Sequence, residues 1–211
     1  MAEDEKTGRR GYHHGNLREA LVEAAIALIE ERGPQGFTIA EAARAAGVSP
    51  AAPYRHFKGR EELIAEVARR GFLIFAEKLE AARARAPGSP LRAFEAVGRA
   101  YLDFARTHPG HYIAMFESGL SIAGSAELND AAGRAIGVLN RSAEELFAHL
   151  PPEKRPPTSM VSHHIWALSH GVVELFTRGG PGRRAPFSPE ELLESGSAIY
   201  LRGLGLLPDF D

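Results

Sequence analysis

Apolar residues recur every three or four positions along almost the whole chain, a spacing that predicts helices and leaves no room for strands. Leu17, Leu21, Ala25 and Leu28, with Ile26 and Ile29 beside them, define a first helix over 16–32. Gly33-Pro34 ends it, since glycine accepts the left-handed stop and proline cannot continue. Thr38 opens a second helix with Glu41 three residues on, which is capping-box spacing: the Thr hydroxyl accepts from the Glu41 amide while the Glu41 carboxylate accepts from the Thr38 amide. Gly47 halts this helix after barely two turns. Ser49 and Pro50 read as the N-cap and first position of a third helix reaching about Phe57. A longer helix over 60–84 carries Leu63, Ile64, Val67, Phe72, Phe75 and Leu79 on its inner side. Further helices are expected over 90–107, 109–118, 125–149, 158–178 and 189–206, separated by Pro- and Gly-rich breakers. No segment alternates apolar and polar residues over strand length and no repeat is present, so the expected fold is all-α with about nine helices.

Composition narrows the chemistry. With 211 residues, 44% hydrophobic and 25% charged, the chain has ordinary globular content and is long enough for a buried core. It contains no cysteine, which excludes disulfides, thiolate metal sites, iron–sulfur clusters and cysteine nucleophiles. No run approaches the roughly 18 apolar residues of a membrane span, and the charged start lacks a signal-type apolar stretch, so a cytoplasmic protein without membrane partners is expected. The net charge of −2 does not advertise a nucleic-acid partner. Its distribution is more telling: Lys6, Arg9, Arg10 and Arg18 form one basic island, and Arg44, Arg55, Lys58 and Arg60 a second, neither interrupted by an acid. Charge runs of this size also serve as solvated faces.

The stretch 37–57 carries the most information. Two short helices joined through Ala46-Gly47-Val48, with Val48 pinning the corner inward, make a helix-turn-helix. Ile39, Ala42, Ala43 and Val48 are expected to face the first helix, leaving Ala51, Ala52, Tyr54, Arg55 and His56 to project outward. Such a helix fits a major groove. Tyr54 and His56 offer donors to phosphate oxygens, Lys58 and Arg60 add charge, and the helix ends at Thr38 and Ser49 present free amides. Small Ala51 and Ala52 permit close approach and contact with thymine methyls, while Arg55 can reach guanine O6 and N7. The competing reading is a helical corner whose polar residues are merely wet.

Thr38-Ile39-Ala40-Glu41, Ala46-Gly47-Val48-Ser49 and the run Tyr54-Arg55-His56-Phe57-Lys58-Gly59-Arg60-Glu61-Glu62-Leu63 closely resemble the DNA-binding domain of TetR/AcrR-type transcriptional regulators. The resemblance covers about the first seventy residues. Tyr12, His13, His14, Gly15, Asn16, Leu17 and Arg18 are similar to one subgroup of that family, whose carboxy-terminal domain bears a Trp…His-Gly signature matched here by Trp166, His170 and Gly171. It implies a helix-turn-helix DNA-binding domain over 1–60, a helical effector-binding and dimerisation domain over 61–211, and a homodimer on a near-palindromic double-stranded DNA operator. Two reading heads would then stand roughly 34 Å or a larger helical multiple apart. Ile165, Leu168, Val172, Leu175 and Phe176, with Leu192, Leu193, Ile199, Tyr200 and Leu204, offer apolar surface for a four-helix dimer interface, or alternatively fill the monomer core. Pro53 departs from the family pattern, because it removes an amide donor inside the recognition helix and forces a late start or a bend. Lys6, Arg9 and Arg10 suit a minor-groove arm or a solubilising tail.

For the effector, an unidentified small molecule, the expected pocket residues are Tyr101, His108, Tyr112, Met115, Trp166 and His170, although an aromatic stripe at helical spacing is also plain core. Glu117 and Glu174 are candidates for sensing a cation. No metal or other cofactor is expected: His108/His111 and His163/His170 have ligand-like spacing, but no Glu-x-x-His or His-Glu-x-x-His pattern accompanies them. An all-helical metal- or carboxylate-dependent enzyme is the alternative from another class, and the same missing patterns weigh against it. The mechanism implied by the resemblance is repression in which an effector in the body moves the 60–84 helix and changes the spacing of the heads.

Overall fold

Leu21, Val22, Ala25 and Ile29 are fully buried along one face of α1 (His14–Arg32), and the rest of the protein is assembled around that stripe and the longer one that crosses it. The computed structural model describes residues 14–177 and 184–207, with the side chains of 14–16 left out. The expected minor-groove arm of Lys6, Arg9 and Arg10, and Tyr12 and His13, lie outside the described residues.

Among the described residues there are eight α-helices and no strand. After α1 come α2 (Ile39–Ala45), α3 (Arg60–Ala84), α4 (Pro90–Thr107), α5 (Pro109–Phe116), α6 (Ala126–Phe147), α7 (Thr158–Phe176) and α8 (Pro189–Gly203). The bounds follow local signals. Ser188 and Glu191 form a full capping box at α8, as Thr38 and Glu41 do at α2. Pro90, Pro109 and Pro189 occupy first positions, where a missing amide costs nothing. α8 stops at Gly203, short of the expected 206. Gly205 there turns left-handed, with the Gly205 amide donating to Arg202 and the Leu206 amide to Leu201.

α3 is the spine. Its 25 residues span roughly 38 Å at 1.5 Å per residue, and it packs on α1, α4, α5 and α6. Leu63, Ile64 and Val67 near its start share one core with Leu21, Phe37 and Phe57, and Phe72, Phe75 and Leu79 carry that core on to Tyr101, Phe104 and Val138. A second core of Phe94, Leu146, Phe147, Val161, Ile165 and Leu201 closes the far end. α5 reaches back to α1. Gly110 makes that approach possible, because a Cβ there would stand 2.7 Å from the Ile26 carbonyl oxygen.

The expected third helix from Ser49 to Phe57 is corrected. The chain forms a single 3-10 turn, Ala52–Arg55, inside a tight corner. Pro53 supplies no amide and disfavours α geometry in Ala52 before it, so an α-ladder begun at Pro50 would lose the bond back to the Ser49 carbonyl within its first turn. Three-residue bonds replace it: the Ala52 amide donates to the Ser49 carbonyl at 3.0 Å and the His56 amide to the Pro53 carbonyl at 2.9 Å. Ser49 therefore serves through its carbonyl. Its hydroxyl caps nothing, and Ala51 sits at the N-cap without a side-chain bond.

Candidate nucleic-acid interface and ligand-binding region

The corner between α2 and the 3-10 turn is built by a left-handed stop. Gly47 has φ 72°; its amide donates to Arg44 and the Val48 amide to Ala43, at 3.0 and 2.9 Å. This paired pattern is the Schellman arrangement, which redirects the chain within two residues. Pro53 and Phe57 are buried and fasten the turn to the core. Between them Tyr54 stands 60% exposed, an unusual posture for a large aromatic ring without an outside role. Arg55, Lys58, Ala51, Ser49 and Thr38 are exposed as well, and His56 is half-buried.

Two of the expected contact residues are placed differently. Ala52 is half-buried and packs against the main core instead of pointing outward, because the 3-10 turn rotates it toward α2. Arg60 is engaged inward: its guanidinium donates to the Gln35 side-chain oxygen at 2.6 Å and to the Phe37 carbonyl at 3.3 Å. That clamp ties the α1–α2 loop to the start of α3. Gln35 had no sequence signal. Glu62, which accepts from the Lys58 amide, was likewise missed, although a carboxylate in a first helical turn is a capping signal.

Behind the turn lies an ionic hub that sequence reasoning also missed. Glu66 is 7% exposed and accepts from Arg18 at 2.8 Å, from Arg69 at 2.8 and 3.0 Å, and from Arg70 at 2.9 Å. Burial pushes its carboxyl upward, but the hydrogen bonds of Arg69, Arg18 and Arg70 outweigh that and bring it down to about 2. Arg18 also lies over the Phe57 ring, 5.3 Å from its centroid. The i,i+3 and i,i+4 spacing of Arg69 and Arg70 from Glu66 was visible in the sequence; the partner on α1 was not.

In the body, four of the six expected pocket residues meet. The Trp166 indole N–H donates to the Tyr101 hydroxyl at 3.0 Å, and the Tyr101 and Tyr112 hydroxyls lie 3.2 and 2.7 Å from Nδ1 of His170. Nδ1 carries one hydrogen-bonding direction, so only one hydroxyl is satisfied there at a time. The other has an outlet, since the Tyr112 hydroxyl also donates to Glu174 at 3.4 Å. Burial raises the hydroxyl pKa of both tyrosines and keeps them neutral phenols. The group fills its own space: the seam beside it, lined by Tyr101, Trp166, Ser142 and Ser169, retains only about 10 Å³.

The other two expected residues lie elsewhere. His108 joins α4 to α5, stacks on Phe104 and pairs through Nδ1 with the Thr107 hydroxyl. Met115 is buried with its sulfur packed toward Gly71 of α3. A separate cleft of about 410 Å³ opens between α1, α4, α5, α7 and the start of α8, lined by Leu102, Tyr112, Ile113 and Phe176 together with Glu30 and Glu117. Among the described residues no three His, Asp or Glu are grouped to hold a metal ion, and no helix is long and apolar enough to cross a membrane.

Comparison with known proteins agrees with this geometry. Residues 21–67 match the family described as bacterial regulatory proteins of the tetR family, and residues 94–199 match the tetracyclin repressor-like C-terminal domain. The HTH-type transcriptional regulator BetI of Brucella suis biovar 1 (strain 1330) is 36% identical over 192 residues, covering 88% of this chain and 92% of that protein. An HTH-type transcriptional regulator of Bacillus subtilis (strain 168), YobS, is 30% identical over 101 residues, 47% of this chain and 51% of that protein. The solved structure of a protein of unknown function from Rhodococcus sp. RHA1 superposes with a TM-score of 0.78 at 28% identity, covering 92% of this chain and 98% of that one. With the helix-turn-helix corner in the first matched region and the Trp166–His170 group in the second, the chain belongs to the TetR family of DNA-binding bacterial transcriptional regulators.

Proposed function

We propose that this protein is a ligand-responsive repressor that acts in the cytoplasm as a homodimer on a near-palindromic operator. Residues 1–60 read DNA and 61–211 bind effector and dimerise, with the first turns of α3 shared between the two. The observation that carries the reading is the posture of Tyr54, exposed on a turn whose neighbours Pro53 and Phe57 are buried. Tyr54, His56 and Lys58 take phosphates, and the exposed helix ends at Thr38 and Ser49 approach the backbone. Arg55 reads a base edge beside Ala51. Arg60 works indirectly, by holding the loop through Gln35. Tyr101, Tyr112, Trp166 and His170 are the effector-responsive group of the body.

Dimerisation draws support from an outward stripe on α7. Met160, His164, Ala167, Gly171 and Leu175 recur at three- and four-residue steps and are all exposed, Met160 at 56% and Leu175 at 42%; Ile199 of α8 is 61% exposed. Exposed apolar side chains in a row mark an association surface, and symmetric dimers are the commonest outcome.

The test is binding of the purified protein to duplex DNA from upstream of its own gene, measured by fluorescence anisotropy at two salt concentrations. Tyr54→Ala and Lys58→Ala should weaken binding on every duplex, Lys58→Ala lowering the salt slope by about 1. Arg55→Ala should relax preference for the operator over a scrambled duplex. Equal, salt-insensitive binding by all variants sinks the reading.

A further inference from the structure

We infer that His164 makes the pairing of two copies depend on pH: neutral, it belongs to the association face of α7 and α8, and protonated, it opens that face. The inference deepens the homodimer reading and rests on it.

His164 lies within the outward stripe of Met160, Ala167, Gly171 and Leu175 and is exposed in the single chain. Beside it Ser195, Ile199 and Gly203 are exposed at four-residue steps on α8. The two helices thus present one face of apolar and small residues in which His164, with the half-buried Tyr200 next to it, is the titratable element. Gly171 points to a close neighbour. Glycine weakens the middle of a helix, and a Cβ there would meet nothing of its own chain within 4 Å, so internal packing gives no reason for it. A second copy meeting the same face across a two-fold axis does, and it buries both His164 rings.

The ring is held from α8. Nδ1 of His164 lies 2.9 Å from the Tyr200 hydroxyl, and the two rings pack edge to face with centroids 5.5 Å apart. A hydroxyl both donates and accepts, so Nδ1 is satisfied in either neutral tautomer. Protonation makes both ring nitrogens donors, turns Tyr200 into an acceptor and leaves a full positive charge facing the partner copy. Water solvates that charge in the free chain. In the pair it is buried against apolar side chains and repeated by symmetry.

No acid is placed to neutralise it. Among the described residues no carboxylate pairs with His164. Glu174, the one acid on α7, stands about 15 Å further along the axis and accepts from Tyr112. On α8 the acids are Glu190, Glu191 and Glu194; Glu191 caps the helix and Glu194 accepts from Arg99. Arg202, in the last turn of α8, has the same sign as an imidazolium, and burial raises the Tyr200 hydroxyl and keeps it neutral. The neighbouring His163 sits at the edge of the stripe, its Nδ1 engaged by the Ser159 carbonyl of its own helix at 2.6 Å, and serves as an internal control. Imidazole changes charge between about pH 5 and 8. Because the pair resists protonation and the free chains do not, dissociation takes up protons at both copies, and the pair weakens as the pH falls through that window.

The experiment is analytical ultracentrifugation of the full-length protein at about pH 8 and about pH 6, with circular dichroism confirming the same helix content at both. The dissociation constant of the parent dimer should rise about tenfold at the lower pH. His164→Gln, which is neutral throughout, and His164→Phe, which keeps the edge-to-face contact, should stay paired and lose the pH response; His163→Gln should keep it. A parent dimer whose dissociation constant is unchanged or falls at the lower pH removes the switch and leaves the homodimer standing. A parent already monomeric at the higher pH removes the homodimer and the switch with it. Retention of the response in both His164 variants, its loss in His163→Gln, or dissociation of both His164 variants at the higher pH overturns the assignment to this residue.

Discussion

Glu66 on α3 accepts a hydrogen bond from Arg18 on α1 at 2.8 Å, across 48 residues of sequence, and this pair is an ionic fastening between the first helix and the spine. Arg70 extends it by pairing with Glu19 as well.

Glu66→Gln should destabilise the fold by about 2 kcal/mol, because three arginines lose the negative charge and one of the two accepting oxygens they share, and an amide NH2 donor faces them instead. Urea unfolding at neutral pH, with the midpoint compared against the parent, measures it. The carboxyl titrates from its ordinary 4.5 down to about 2 in the folded protein. A depressed folded value means the stabilisation is complete above 4.5 and disappears as the pH falls toward 2, amounting to about 3 kcal/mol in all. The variant should lack that acid-limb loss.

His111 gives a second and higher pH window. Burial, aided by His108 and Arg70, pushes its imidazole from 6.5 to about 4. Because the folded state resists protonation, its contribution is intact above 6.5 and declines as the pH falls from there to 4. The loss over that interval should be about 3 kcal/mol. His111→Gln, which stays neutral, should show a flatter stability profile between pH 6.5 and 4 in thermal denaturation.

Gly47→Ala tests the corner. No atom lies within 4 Å of the added Cβ, while φ is +72°, so the cost is conformational and should be about 1 kcal/mol. Gly47→Asn should cost less, since asparagine tolerates the left-handed region better. Melting temperatures of the two variants in parallel check that conformational strain is the reason for glycine here; equal losses would argue against it.

Leu175→Arg combined with Ile199→Arg should shift the protein from dimer to monomer in light scattering, and should lower operator affinity at least tenfold through loss of the paired second head. Both side chains are exposed in the single chain, at 42% and 61%, so the folded monomer should keep its helix content. An unchanged mass would remove the α7–α8 stripe as the association surface.

Local signals in the sequence located the helices well. The expected 60–84 and 90–107 coincide with α3 and α4, and the expected 16–32, 158–178 and 189–206 differ from α1, α7 and α8 by a few residues at their ends. The exception was the segment after Ser49, where Pro53 removed a donor and constrained Ala52 before it, and a 3-10 turn replaced the helix. The exposure of Thr38, Ser49, Ala51, Tyr54, Arg55 and Lys58 was legible in the same way, whereas Ala52, His56 and Arg60 are partly covered, because their directions depend on what stands opposite them.

Periodicity, capping residues and breakers act over a few positions, so the sequence alone determined the all-α class, the helix-turn-helix corner and the apolar faces. Only the tertiary structure decided that Tyr101, Tyr112, Trp166 and His170 satisfy one another, that His108 and Met115 stand apart from them, that Arg60 clamps Gln35, and that Glu30 shares a cleft with Glu117. Those meetings join residues as many as 87 positions apart on different helices. They are set by how ridges and close approaches such as Gly110 on Ile26 orient whole helices, information that no short window of residues contains.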